Sequence, residues 1–264
     1  MVAIEQGAYT DALRGFGLRH SGMRAIVVIS AHWQAPRPLR VTAWRSAPVI
    51  HDFGGFPDAL YALDYPAPGA PSLAAEIAAL AGGEVVLDRT RGLDHGAWVP
   101  LRLAWPEGAV PALEVALPAP AAPRELFELG RALRPLRERG VLFMGSGGIV
   151  HNLRRVRFLD RDGPVDGWAA EFDRWVAERL AAGDTEALLS YRQLAPHAEL
   201  AVPTTEHFDP LFCVLGACFE GEPAAPIYEG FQYGNLSMRS FRFASPETPA
   251  GADTRGAQGR SSRP

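Results

Sequence analysis

Apolar residues along this 264-residue chain fall into short continuous runs and longer periodic stretches, a pattern that predicts alternating strands and helices. Ala25-Ile26-Val27-Val28-Ile29-Ser30 is a β-branched run bounded by polar residues, as in a strand buried on both faces of a parallel sheet. Further strands are predicted at 39–44, 84–87, 111–117 and 141–144, with closing strands at 227–228 and 238–243. Residues 124–139 are amphipathic, with Leu126, Leu129, Leu133 and Leu136 at three- and four-residue steps. Residues 71–81 fit a helix with Pro71 at its start and Gly82-Gly83 past its end. Helices are also predicted at 11–18, 168–182, 185–194 and 206–218, the last apolar enough to be buried. Residues 52–71 are rich in Gly, Pro and aromatics and read as a long ordered loop, a kind of segment that usually carries function.

Helices alternating with short apolar strands predict a single α/β domain, a mixed central β-sheet flanked by helices on both faces. No internal repeat and no domain boundary interrupts residues 1–244. From Ser245 onward the chain is rich in Pro, Gly, Ser, Thr and Arg and nearly devoid of apolar residues, which predicts a disordered tail over 245–264.

Composition narrows the function classes. With 47% hydrophobic and 21% charged residues the chain can bury a real core. A net charge of −4 argues against a nucleic-acid partner, which needs a basic stripe. No apolar run approaches the ~20 residues of a membrane helix, and the start Met1-Val2-Ala3-Ile4-Glu5-Gln6 does not read as a signal peptide. Cys213 and Cys218 are too few for a disulfide framework, lack zinc-site spacing and read as small packed hydrophobes. These features together predict a cytoplasmic protein. All 26 basic residues are Arg, which excludes a lysine Schiff base and a P-loop lysine.

The candidate chemistry lies in the seven histidines. His32 ends the first apolar run, where ligands of α/β sheets bind, and reads equally as a ligand or as a hydrogen-bonded sheet-edge residue. His95 follows Asp94, which could orient its ring for acid–base work, although Asp-x-Gly is common turn chemistry and the turn is the preferred reading. His151 follows Gly145-Ser146-Gly147-Gly148, a tight turn that brings the backbone close to a pocket and lacks the lysine of a phosphate loop. His207 opens the predicted 206–218 helix, where Glu206 or His207 could bind a metal. His51 could line the pocket, and His20 and His197 read as solvent-facing. Neutral imidazole is the commonest metal ligand, so one metal site with acid–base help is the common denominator.

Taken together, several segments resemble the class III extradiol ring-cleavage dioxygenases, in their DOPA 4,5-dioxygenase-like branch. They are Ser30-Ala31-His32-Trp33, Ile50-His51-Asp52-Phe53-Gly54-Gly55-Phe56-Pro57, Tyr65-Pro66-Ala67-Pro68-Gly69, Gly92-Leu93-Asp94-His95-Gly96-Ala97-Trp98-Val99-Pro100, residues 145–153, Trp168-Ala169-Ala170-Glu171-Phe172-Asp173 and Pro203-Thr204-Thr205-Glu206-His207-Phe208-Asp209-Pro210-Leu211. The resemblance implies an α/β fold, a mononuclear Fe(II) or Zn(II) site, and a DOPA-like catechol opened with O2. It implies that His32 and His207 are metal ligands, His95 the acid–base group and His151 a second pocket histidine touching substrate or dioxygen. Phe53, Phe56 and Trp98, with His51, would wall the substrate pocket.

One departure accompanies the resemblance. Residues 1–9 resemble what directly follows the family's Ser-His-Gly-x-Pro motif, so a first strand and a first histidine ligand are expected ahead of Met1, with a misplaced start codon preferred to a real loss. Two other classes stay open, a metal-dependent hydrolase acting through metal-bound hydroxide and a non-catalytic binder on the same scaffold. Nothing in the sequence sets the oligomeric state.

Overall fold

The computed structural model describes residues 2–46 and 48–243. Its helices are α1 (Ala8–Arg19), α2 (Asp58–Tyr61), α3 (Pro71–Leu80), α4 (His95–Ala104), α5 (Pro123–Leu133), α6 (Gly167–Ala181), α7 (Thr185–Leu189), α8 (Tyr191–Leu194), α9 (Ala198–Ala201) and α10 (Pro210–Ala217). The strands are β1 (Ala25–Ser30), β2 (Gln34–Ala35), β3 (Leu39–Thr42), β4 (Val85–Asp88), β5 (Ala112–Glu114), β6 (Leu117–Pro118), β7 (Val141–Ser146), β8 (Ala224–Tyr228), β9 (Phe231–Gln232), β10 (Leu236–Ser237) and β11 (Ser240–Phe243). The chain is an α/β domain, and among the described residues no helix is long and apolar enough to cross a membrane.

The centre is a parallel three-stranded sheet in the order β5-β1-β7. Every residue of β1 is buried, as its unbroken apolar run requires. Its side chains alternate between two cores. Ala25, Val27 and Ile29 join a cluster with Phe172, Phe208 and Phe212, and Ile26 and Val28 join one with Leu13, Trp98 and Leu101. Parallel pairs β3–β4 and β2–β6 lie outside this sheet, β8–β11 and β9–β10 pair antiparallel, and isolated antiparallel bridges join Val41 to Val115 and Ser46 to Pro68. The outer edge of β7 borders a cavity of about 570 Å³, lined also by residues of β11, α1 and α10 and reaching His207. Because β1 and β7 run in register from Ala25↔Val141 to Ser30↔Ser146, the segments leaving them, 31–33 and 147–151, emerge side by side.

Several boundaries differ from expectation. The 206–218 helix begins only at Pro210, whose fixed φ and missing N–H suit the first helical position. His207 therefore sits in the turn ahead of α10, where the Phe208 and Asp209 amides donate to the Thr205 carbonyl. Residues 134–139 leave the amphipathic helix as a 3₁₀ segment, since Pro135 cannot supply an amide hydrogen. The 185–194 helix is two, broken at Ser190. The 111–117 strand is also two, because β5 pairs with β1 and β6 with β2. The long loop contains the one-turn α2. The preferred turn at Asp94-His95-Gly96 is instead the start of α4, with Asp94 as N-cap accepting the Ala97 amide. The tail expected at 245–264 lies outside the described residues.

Candidate metal centre

Four separate segments bring histidines to the carboxyl end of the central sheet. His32 leaves β1, its amide donating to Ser30 Oγ (3.2 Å) while the Ala31 amide holds the Ser146 carbonyl (2.9 Å). Ser30 Oγ in turn donates to Asp94 Oδ1 (2.7 Å), which ties the end of β1 to the start of α4 and so to His95. A Cβ at Gly96 would lie 2.4 Å from Ser30 Oγ and 2.9 Å from the His32 ring, so only glycine lets α4 come this close. The glycine turn after β7 does the same for His207. The Gly148 amide donates to the His207 carbonyl (2.8 Å), and a Cβ at Gly147 would stand 2.1 Å from that oxygen. His151 follows, its amide donating to the Ala201 carbonyl (3.1 Å).

The rings form a row. His95 and His32 have centroids 4.0 Å apart, His32 and His207 5.1 Å, and His207 and His151 3.5 Å in a near-parallel stack. His51 stands apart: its Nε2–H donates to the Leu63 carbonyl (3.0 Å) and its ring packs among Phe53, Tyr61 and Trp98. Phe53 meets the His95 ring edge-on at 5.6 Å, and Phe56, 41% exposed, leans on Phe53 at the rim. Trp98 is fully buried beneath them, its Nε1–H donating to the Ile50 carbonyl, and braces the aromatic wall from behind. His20 departs from its solvent-facing expectation: it stacks on Phe16 at 4.2 Å and donates to that residue's carbonyl. His197 is exposed and pairs with Glu171 (2.8 Å). Cys213 is buried, and burial pushes its thiol up to about 12, as befits a packed apolar residue.

The electrostatics suit metal binding by neutral imidazoles. Burial lowers the pKa of His151 to about 4 and of His207 to about 2, and His151 and His32 beside His207 add to its shift. His32 is lowered too, by burial and then by His95. These three rings are neutral at pH 7 and keep a lone pair for a cation. Ligand atoms of His32, Asp52 and His95 lie within 4.8 Å of one another, the makeup of a two-histidine, one-carboxylate group.

Asp52 and Glu114 were not singled out in the sequence, and Asp94, read there as a group that could orient His95, is instead committed to Ser30, Arg91 and Ala97, while Asp52 is the carboxylate on His95. Asp52 Oδ1 accepts the His95 amide (2.8 Å) and lies 3.0 Å from His95 Nδ1. Burial works to raise the pKa of Asp52, but the hydrogen bonds from His95 prevail and hold it at about 2. Asp94 and Glu114 are fully buried behind the histidines, near Arg91, which reaches Asp94 Oδ2 (3.0 Å) and Glu114 Oε2 (3.8 Å). Burial and then Asp94 raise the Glu114 pKa well above the usual carboxyl range. The only local hint was adjacency, Asp52 following His51 and Asp94 preceding His95.

Comparison with known proteins agrees with this geometry. Residues 15–241 match the family model described as the catalytic LigB subunit of aromatic ring-opening dioxygenase. The chain is 39% identical over 245 residues to a 4,5-DOPA dioxygenase extradiol of Escherichia coli strain K12, covering 91% of this chain and 89% of that one. It is 40% identical over 226 residues to the protein of the same name from Beta vulgaris, covering 84% and 83%. The crystal structure of an uncharacterized Escherichia coli K12 protein superimposes with a TM-score of 0.76 at 33% identity, over 90% of this chain and 93% of that one.

Proposed function

The chain belongs to the family of the catalytic LigB subunit of aromatic ring-opening dioxygenases, and from that membership we propose that it opens a DOPA-like catechol with O2 by extradiol cleavage. The observation that supports this most is the convergence of His32, His95, His151 and His207 from four distant segments. His32 and His207 are the residues that would hold the metal, their neutral rings, partly open to solvent, suiting either Fe(II) or Zn(II). A metal bound there supplies a Lewis acid and a common meeting point for catechol and O2, with Fe(II) the ion whose redox chemistry ring opening requires.

The remaining residues divide the work. His95 takes a proton from a catechol hydroxyl and returns one as the ring opens, a dual duty that suits an imidazole. His151, stacked on His207, would be the second pocket histidine and contact substrate or dioxygen. Phe53, Phe56 and the His51–Trp98 pair behind them form an apolar wall that holds the aromatic ring flat and excludes water. Pre-positioning both reactants against these groups replaces a three-body encounter by a local reaction.

The test separates binding from chemistry. His95→Ala retains metal by elemental analysis, while oxygen consumption with a catechol falls by about 10²–10⁴-fold. His207→Ala loses the metal as well as the activity. Parent-like turnover by His95→Ala removes the acid–base role. Metal-loaded protein that consumes no oxygen with any catechol, yet cleaves esters, points to the hydrolase instead.

A further inference from the structure

Asp52 lies on the loop that follows His51, outside the histidine row, yet its carboxylate engages the first member of that row twice. Oδ1 accepts the His95 main-chain N–H at 2.8 Å and stands 3.0 Å from the same residue's Nδ1. The nearest approach to His32 is longer, 4.0 Å between Oδ2 and Nδ1. Its neighbour Phe53 also meets the His95 ring, with centroids 5.6 Å apart and planes nearly perpendicular. The ring thus contacts both a carboxylate and an aromatic ring from one dipeptide, with His32 against it at 4.0 Å.

Two roles are open to a carboxylate placed in this way. One is a third metal ligand beside His32 and His95, since the three ligand atoms fall within 4.8 Å. The other is to fix the orientation and tautomer of His95. Geometry favours the second. Oδ1 is already committed to the amide at the N-terminus of α4, where the helix dipole also favours a negative charge. The Nδ1 contact is short, at 3.0 Å, but Nδ1 makes no hydrogen bond in this structure; active-site hydrogen bonds are often poorly aligned until substrate binds.

We infer that Asp52 is a positioning residue for His95: it holds the imidazole in the tautomer that carries its proton on Nδ1 and leaves Nε2 as the basic nitrogen. Nε2 takes the proton of a substrate hydroxyl, and the ring becomes an imidazolium whose new charge lies against the Asp52 carboxylate. Asp52 gains no proton. When Nε2 releases the proton, the ring returns to the same tautomer. The catalytic half of this statement rests on the reading of His95 as the acid–base group; the tautomer half does not.

The experiment uses the full chain labelled with ¹⁵N-histidine, prepared without added metal, and reads the ring nitrogens by long-range ¹H–¹⁵N correlation at neutral pH. His95→Gln identifies the His95 signals by their loss. The expected result is an Nδ1–H tautomer in the parent, its loss in Asp52→Asn and its return in Asp52→Glu. The amide side chain of Asp52→Asn keeps an oxygen to accept the His95 main-chain N–H, so α4 stays capped and the variant folds. Zn(II) titration then gives the parent stoichiometry for Asp52→Asn, whereas His207→Ala loses it. With catechol and the Fe(II)-loaded chain, kcat of Asp52→Asn falls by about 10²-fold at unchanged KM. An Nε2–H tautomer in the parent overturns the inference, and so does loss of Zn(II) by Asp52→Asn, which makes Asp52 a ligand. If His95→Ala retains turnover, the reading of the reaction fails while the tautomer measurement still decides what Asp52 does.

Discussion

Burial acts on titratable residues with opposite signs around the histidine row, and the difference is measurable. It drives His207 down to about 2 and holds it neutral, whereas two residues later it pushes the Asp209 carboxyl from 3.8 up to about 6, against a 2.7 Å hydrogen bond from Thr205 Oγ1. For a carboxyl whose folded pKa is raised, the penalty is absent below the unfolded value and grows as pH rises through the folded one. Asp209→Asn, which keeps an acceptor for Thr205, is therefore expected to stabilise the fold at pH 8 and to have no such effect at pH 3. The gain is bounded by about two pKa shifts of 1.36 kcal/mol, or ~2–3 kcal/mol. Urea unfolding at the two pH values checks it, and equal effects at both would defeat the argument. None of this could be read locally. Asp209 and His207 share one turn, and only the surrounding Phe208, Phe212 and Tyr191 make that turn a buried one.

Among the secondary elements, α4 shows most directly how the site is assembled. Its N-cap Asp94 accepts from Ala97 (3.1 Å) and Ser30 Oγ (2.7 Å) and pairs with Arg91 (3.0 Å), so one buried carboxylate joins the helix start, the end of β1 and the loop between β4 and α4. Asp94→Ala removes the cap and strands buried partners, at an expected cost of at least about 2 kcal/mol. The histidine row would also loosen. Chemical denaturation reads the first effect, and weaker Zn(II) binding with native-like circular dichroism reads the second; unchanged stability would show that the network carries no weight. The helix escaped the periodicity because Asp94-His95-Gly96 is good turn chemistry and Pro100 interrupts the apolar stripe. Similar reasons shifted other boundaries. Pro210 moved the start of α10 past His207, and Pro135 turned the end of α5 into a 3₁₀ segment. By contrast, β1, β7, α3 and α6 follow the apolar pattern to within a residue or two, because their cores on either side of the sheet repeat at the strand and helix periods.

For the whole molecule, the site is a junction. His32, His95, His151 and His207 hang from β1, α4, the loop after β7 and the turn before α10, so a metal held among them couples both cores to one point. Binding that requires the folded arrangement adds stability by mass action, about 2.7 kcal/mol at a hundredfold excess over Kd. Fe(II) or Zn(II) is accordingly expected to raise the melting temperature in a concentration-dependent way, with reversal by a chelator and no response in His207→Ala. A melting temperature indifferent to either metal would mean that the four rings do not act together. The sequence by itself determined the class of fold, the strand–helix alternation and the identity of the histidines, because burial periodicity and residue chemistry are local properties. Which histidines meet, which nitrogen faces Asp52 and which rings stay neutral were decided only in the folded chain. Those properties depend on distances between residues far apart in sequence, such as 32 and 207, and on how completely their neighbours exclude water.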